Sequence, residues 1–71
     1  MTVAQAKAIV KAKYPQAICT YCFNGEPIIL SCRATKRNDS QILSDPSITF
    51  WMDSEAWKSA AERIEKEAQH D

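Results

Sequence analysis

Cys19-Thr20-Tyr21-Cys22 has the C-x-x-C spacing that can hold zinc or run a thiol exchange, and Cys32 adds a third thiol. A zinc site needs four converging ligands, and the single histidine, His70, lies in a C-terminal stretch expected to fray. In a strand, residues three apart point to opposite faces, so Cys19 is expected in the core and Cys22 outside. Three thiols cannot all pair within one chain, and all three are read as packed thiols, with no metal and no cofactor. Nucleophilic catalysis requires a rigidly held base, a role His70 fits poorly. Phosphate loops need several glycines, and Gly25 stands alone. The carboxylates near the C-terminus have the spacing of a solvated helix face and lack the burial that tunes a general acid. No catalytic residue is expected, and the chain is read as a non-enzyme.

Size points the same way. Seventy-one residues make a single domain, 1–71. A chain this short buries only about 60% of the surface it exposes unfolded, so a deep substrate cavity would compete with the core. Hydrophobic residues at 45% and charged residues at 25% fit a globular fold and exclude disorder. No apolar run is longer than three residues, as in Ile28-Ile29-Leu30, far below the roughly 20 residues a membrane helix needs, and no signal-peptide core is evident. The expectation is a cytoplasmic protein without a membrane partner.

The net charge of zero conceals a gradient. Lys7, Lys11 and Lys13 are unopposed over residues 1–25, whereas residues 47–71 carry six acids against three bases. A nucleic-acid binder is usually basic overall, because each phosphate contact needs a cation. Only the N-terminal helix meets that demand.

Thr2-Val3-Ala4-Gln5 has the capping-box pattern, and Val3, Ala6, Val10 and Tyr14 recur at helical spacing up to the stop at Pro15. This predicts a helix over 3–14. Asn24-Gly25 predicts a two-residue type I′ turn within a hairpin over 16–33. That turn pairs Phe23 with Glu26, Tyr21 with Ile28, Cys19 with Leu30 and Ala17 with Cys32 on a core face. Ile18, Thr20, Cys22, Pro27, Ile29, Ser31 and Arg33 then share the outer face. Residues 34–47 read as a loop, in which Ile42-Leu43 could supply a strand fragment. The better strand is 48–52, with Ile48, Phe50 and Met52 inward and Thr49 and Trp51 outward. Asp53 or Ser54 caps a helix over 54–68, whose Trp57, Ala60, Ala61, Ile64 and Ala68 form one stripe. Lys58 with Glu62 and Glu62 with Lys66 are spaced as outer-face ion pairs.

The fold class expected is α+β in the order α-β-β-β-α, a three-stranded antiparallel sheet with both helices packed on one face. An aromatic on the solvent face with a polar surround has the composition of an interface centre. Trp51, Ile18, Ile29, Cys22 and Arg33 are therefore the candidate partner-binding residues, provided the 34–45 segment does not cover Trp51. They would take a protein partner, or a second copy to form a homodimer through an exposed edge.

The element order also resembles that of double-stranded-RNA-binding domains, which grip phosphates with a lysine cluster at the start of the second helix. Here the matching stretch is Asp53-Ser54-Glu55-Ala56-Trp57, whose carboxylates repel phosphate. Nucleic-acid binding through Lys7, Lys11, Lys13, Lys36 and Arg37 is the alternative reading.

Two further stretches, Lys11-Ala12-Lys13-Tyr14-Pro15-Gln16-Ala17 and Ser54-Glu55-Ala56-Trp57-Lys58-Ser59-Ala60-Ala61-Glu62-Arg63-Ile64, cover about a quarter of the chain. They resemble a group of small bacteriophage and prophage accessory proteins with a KYP-x-A element, a short hairpin and an AW-x-x-AA-x-R-I/L helix. The 34–47 segment departs from that pattern by its length. The resemblance implies a viral protein acting in the host cytoplasm by binding and inhibiting a host macromolecule, for example a CRISPR-type defence complex. It carries over no catalytic residue.

Overall fold

A computed structural model describes residues 1–22, 24–33 and 40–68. The order is α1 (Val3–Lys13), β1 (Ile18–Tyr21), β2 (Pro27–Leu30) and α2 (Asp53–Ala68), with β1 and β2 forming a two-stranded antiparallel sheet. The class is α+β. Phe23 and residues 34–39 and 69–71, which include Lys36, Arg37 and His70, lie outside the described residues.

The first helix begins where its cap dictates. The Thr2 hydroxyl accepts from the Gln5 amide at 3.1 Å, and the Gln5 side chain accepts from the Thr2 amide at 2.9 Å. It ends at Lys13, with Tyr14 as C-cap, one residue earlier than the spacing predicts. Ala6 and Val10 are fully buried, against Ala56, Trp57, Ala60 and Ala61 of α2. Small side chains on both helices permit close approach. The Lys7 ammonium over the Trp57 ring and the Lys13–Glu67 ion pair, at 3.3 Å, show the helices running side by side in the same sense.

The hairpin differs from the expected register by one residue. Cys19 pairs with Ile29, Thr20 with Ile28 and Ile18 with Leu30. The reason lies in the turn. A type I′ turn needs positive φ at both central residues, but among the described residues only Gly25 has it, at 89°. The Asn24 carboxamide instead accepts from the Glu26 amide, and Cys22 pairs with Glu26, donating to its carbonyl. The connection is thus a three-residue loop closed by a left-handed glycine.

A one-residue slip moves every side chain of one strand to the other face. Ile29, expected outside, is fully buried and faces the helices beside Ala17 and Cys19, while Ile28 and Leu30 turn outward, half-buried. Ile29 is therefore removed from the candidate partner surface.

Residues 48–52 form no strand. The outer edge of β2 is already taken by residues 41–44. Ile42 bridges Leu30, the Leu43 amide donates to the Ile29 carbonyl at 2.8 Å, and the Ile29 amide donates to the Ser44 hydroxyl at 3.3 Å. One Arg63 nitrogen holds this segment from behind, donating to the carbonyls of Leu43 and Ser44 at 3.2 and 2.7 Å. With that edge filled, Ile48–Met52 crosses to α2 as irregular chain. Phe50 alone of its three expected inward residues packs against the core; Ile48 and Met52 are exposed.

The second helix starts at Asp53, and the Met52 carbonyl accepts from the Glu55 and Ala56 amides. Trp57, Ala60 and Ala61 are buried as expected and Ile64 is partly buried, but Ala68 is exposed. Among the described residues the one ion pair is Lys13–Glu67, so Lys58, Glu62 and Lys66 do not form the pairs their spacing allows.

Candidate functional site

The stretch between Asp45 and α2 is prepared by a turn. The Asp45 carboxylate accepts from the Ser47 hydroxyl at 2.6 Å and from the Ser47 amide at 2.9 Å, and these bonds hold its carboxyl below the usual carboxylate range. The Asp45 amide donates to the Ser59 hydroxyl at 3.2 Å, fastening the turn to α2. Pro46 lies inside this turn, and the chain leaves it into Ile48-Thr49-Phe50-Trp51-Met52.

That pentapeptide is the most apolar exposed stretch. Trp51 is 84% exposed, Met52 60% and Ile48 52%. Among the described residues, 40–45 leave Trp51 uncovered. An open groove of about 380 Å³ runs along the first three residues of this stretch, lined by Ile48, Thr49 and Phe50 and by Glu55, Lys58, Ser59 and Glu62 of α2. Sequence patterning missed Ile48 and Met52 because it assigned both to the core face of a strand. The available signal was the weakness of that strand, bounded by a proline turn and by a helix start.

The other candidates are spread out. Ile18 and Cys22 are half-buried on the outward face of the hairpin, and Arg33 is exposed after β2. All three α1 lysines are exposed, and two of them make local contacts: Lys7 sits 5.6 Å from the Trp57 ring centroid and Lys13 is paired with Glu67. Asp53 and Glu55 occupy the first turn of α2.

The three cysteines are unbridged. Cys19 packs against the core, and burial, then the Asp53 charge, pushes its thiol up despite the opposing Lys7. Such a thiol is poorly ionised and has the character of a packing group. Among the described residues no group of three or more His, Cys, Asp or Glu side chains is placed to hold a metal ion. No described helix is long and apolar enough to cross a membrane.

A contact that sequence patterning did not anticipate joins β1 to α2. The Tyr21 hydroxyl donates to the Asp53 carboxylate, 2.7 and 2.6 Å from its two oxygens. This bond, with smaller contributions from desolvation and the Asp53 charge, pushes the Tyr21 phenol up to about 12. A raised folded-state value favours the protonated form. The contact therefore stabilises the fold fully below the ordinary tyrosine value near 10, and that contribution is lost as pH rises through about 12. We expect Asp53→Asn to bring the Tyr21 phenolate transition down toward the ordinary value in an ultraviolet absorbance titration. A Tyr21 transition that does not move would show that the carboxylate is not its cause.

No protein-family model, no curated protein and no solved structure matches this chain.

Proposed function

We propose that this chain is a small non-enzymatic interaction protein that binds a protein partner through the surface formed by Ile48, Trp51 and Met52. The observation that carries the reading is Trp51. Leaving so large an aromatic in water forgoes roughly 1.5–3 kcal/mol that burial would recover, whereas the same side chain is the commonest type of energetic anchor in interfaces. The neighbouring Ile48 and Met52 make the exposure a patch, where scattered single residues would need no explanation. The resemblance to phage accessory proteins adds the expectation that the partner is a host macromolecule and that binding inhibits it, with a defence complex as one example.

The test is affinity capture from bacterial lysate with and without nuclease, comparing the natural chain with Trp51→Ala. Trp51 is exposed and outside the core, and its truncation leaves the capping Met52 carbonyl in place, so stability should change by less than about 0.5 kcal/mol. We expect capture of a protein that survives nuclease and falls at least tenfold with Trp51→Ala. Equal capture by the variant would overturn the assignment of this surface. Capture lost to nuclease would instead favour the lysines of α1.

A further inference from the structure

We infer that the groove between residues 48–50 and α2 seats a short basic segment of the partner, an extended peptide with one aliphatic side chain between two cations. This rests on the reading of Trp51 as partner surface and adds the chemistry of the occupant.

Size argues for a segment. Ile48, Trp51 and Met52 together offer on the order of 400 Å² of apolar surface, the scale of a functional patch on a monomer. Stable complexes between two folded faces bury about 800 Å² on each partner, so this patch alone is about half of what a rigid homodimer needs. The groove, about 380 Å³ and lined from this stretch by Ile48, Thr49 and Phe50, has the size for a few extended residues.

Backbone chemistry argues for an extended one. Thr49, Phe50 and Trp51 make no backbone hydrogen bond to another described residue. Their side chains are of the β-branched and aromatic types that suit pairing with a strand. The segment that finds no place at the edge of β2 therefore keeps its own donors and acceptors open for an added chain.

Charge argues for a basic one. Glu55 and Glu62 are both exposed on the α2 wall, and neither lies within ion-pair distance of a described lysine or arginine. They are seven residues apart, or roughly 10 Å along a helix. Lys58 between them leaves an excess of one carboxylate, and Arg63 is turned away to the Leu43 and Ser44 carbonyls. In an extended peptide, residues i and i+4 lie roughly 13 Å apart on one face. Two flexible cations at those positions can reach both carboxylates while residue i+2 enters between Ile48 and Phe50.

The probe is the pentapeptide acetyl-Lys-Ser-Val-Ser-Lys-amide, titrated into the isotopically labelled protein and followed by amide chemical shifts. Its counterpart with glutamate at both ends is the control. We expect saturable shifts at Thr49, Phe50, Trp51 and Ser59 with the lysine peptide, and at least fivefold weaker binding to a Glu55→Gln/Glu62→Gln variant. Both substitutions are on an exposed helix face, and the variant's amide spectrum verifies that it stays folded. Absence of shifts, equal shifts with the glutamate peptide, or unchanged affinity in the double variant would each overturn the proposal. If Trp51-dependent capture persists while the peptide fails, only the occupant's chemistry is wrong; if Trp51→Ala leaves capture intact, the surface itself is misassigned.

Discussion

Ile29→Asp is expected to leave the chain unfolded in buffer without denaturant. Ile29 is fully buried between the hairpin and α2, and its amide and carbonyl are both used by the 41–44 segment. A carboxylate there would have no described partner, and an uncompensated buried charge costs upward of 3–5 kcal/mol. A domain of this length has roughly 4–10 kcal/mol of stability in total. The charge also arrives where the isoleucine's own burial, worth roughly 1.5–3 kcal/mol, has just been lost. Ile29→Ala provides a graded comparison at about 2–5 kcal/mol, readable by urea denaturation if the chain still folds. Ile28→Asp is the discriminating partner, because Ile28 is half-buried on the outward face and should be tolerated far better. The two-residue turn register would reverse that order. Circular dichroism of the two aspartate variants therefore decides the register: a folded Ile29→Asp beside an unfolded Ile28→Asp would show that the strands pair one residue away from the arrangement described here.

The second large effect separates the two tryptophans. Trp57→Ala is expected to cost about 3–5 kcal/mol, again most of the available stability. Trp57 is 4% exposed and fills the space where α1 meets α2, with the Lys7 ammonium over its ring. Its loss would leave a void among Ala6, Val10, Ala60 and Ala61, none of which is long enough to collapse into it. The cation–π contact adds about 0.5–1 kcal/mol. Trp51→Ala, by contrast, should unfold at nearly the same urea concentration as the natural chain. Fluorescence gives an independent reading: Trp57, observed alone in Trp51→Phe, should emit at shorter wavelength and resist quenching by iodide. A quenchable Trp57, or a marked stability loss in Trp51→Ala, would contradict the assignment of one tryptophan to the core and the other to a surface.

Much of the local structure was legible in the residues because the forces that set it act within one or two turns of chain. The capping box at Thr2 and Gln5, the stop before Pro15 and the stripe through Trp57, Ala60 and Ala61 each needed only neighbours three or four positions away. The separation of Cys19 from Cys22 followed from the two-residue period of a strand, whichever register the hairpin took. Trp51 was placed outward and is exposed, whereas Ile29 was placed outward and is buried, and Ile48 and Met52 were placed inward and are exposed.

Those misses share a physical origin. Asn24-Gly25 is compatible with two loops of nearly equal merit, and the choice depends on whether Asn24 enters the left-handed region or uses its side chain on the Glu26 amide. A single residue of difference then exchanges Ile29 for Ile28 in the core. The third strand failed for a longer-range reason. Ile42-Leu43 and Ile48–Met52 are both candidates for the edge of β2, and the 41–44 segment that holds it is also bound through its Leu43 and Ser44 carbonyls by Arg63, some twenty positions away. The sequence by itself thus determined the two helices, the hairpin and the placement of Cys19 toward the core with Cys22 on the other face, because these rest on short-range periodicity and capping. Only the tertiary structure decided the register, the occupant of the sheet edge and the exposure of Ile48, Trp51 and Met52, because each is the outcome of competition between segments distant in sequence for the same hydrogen bonds.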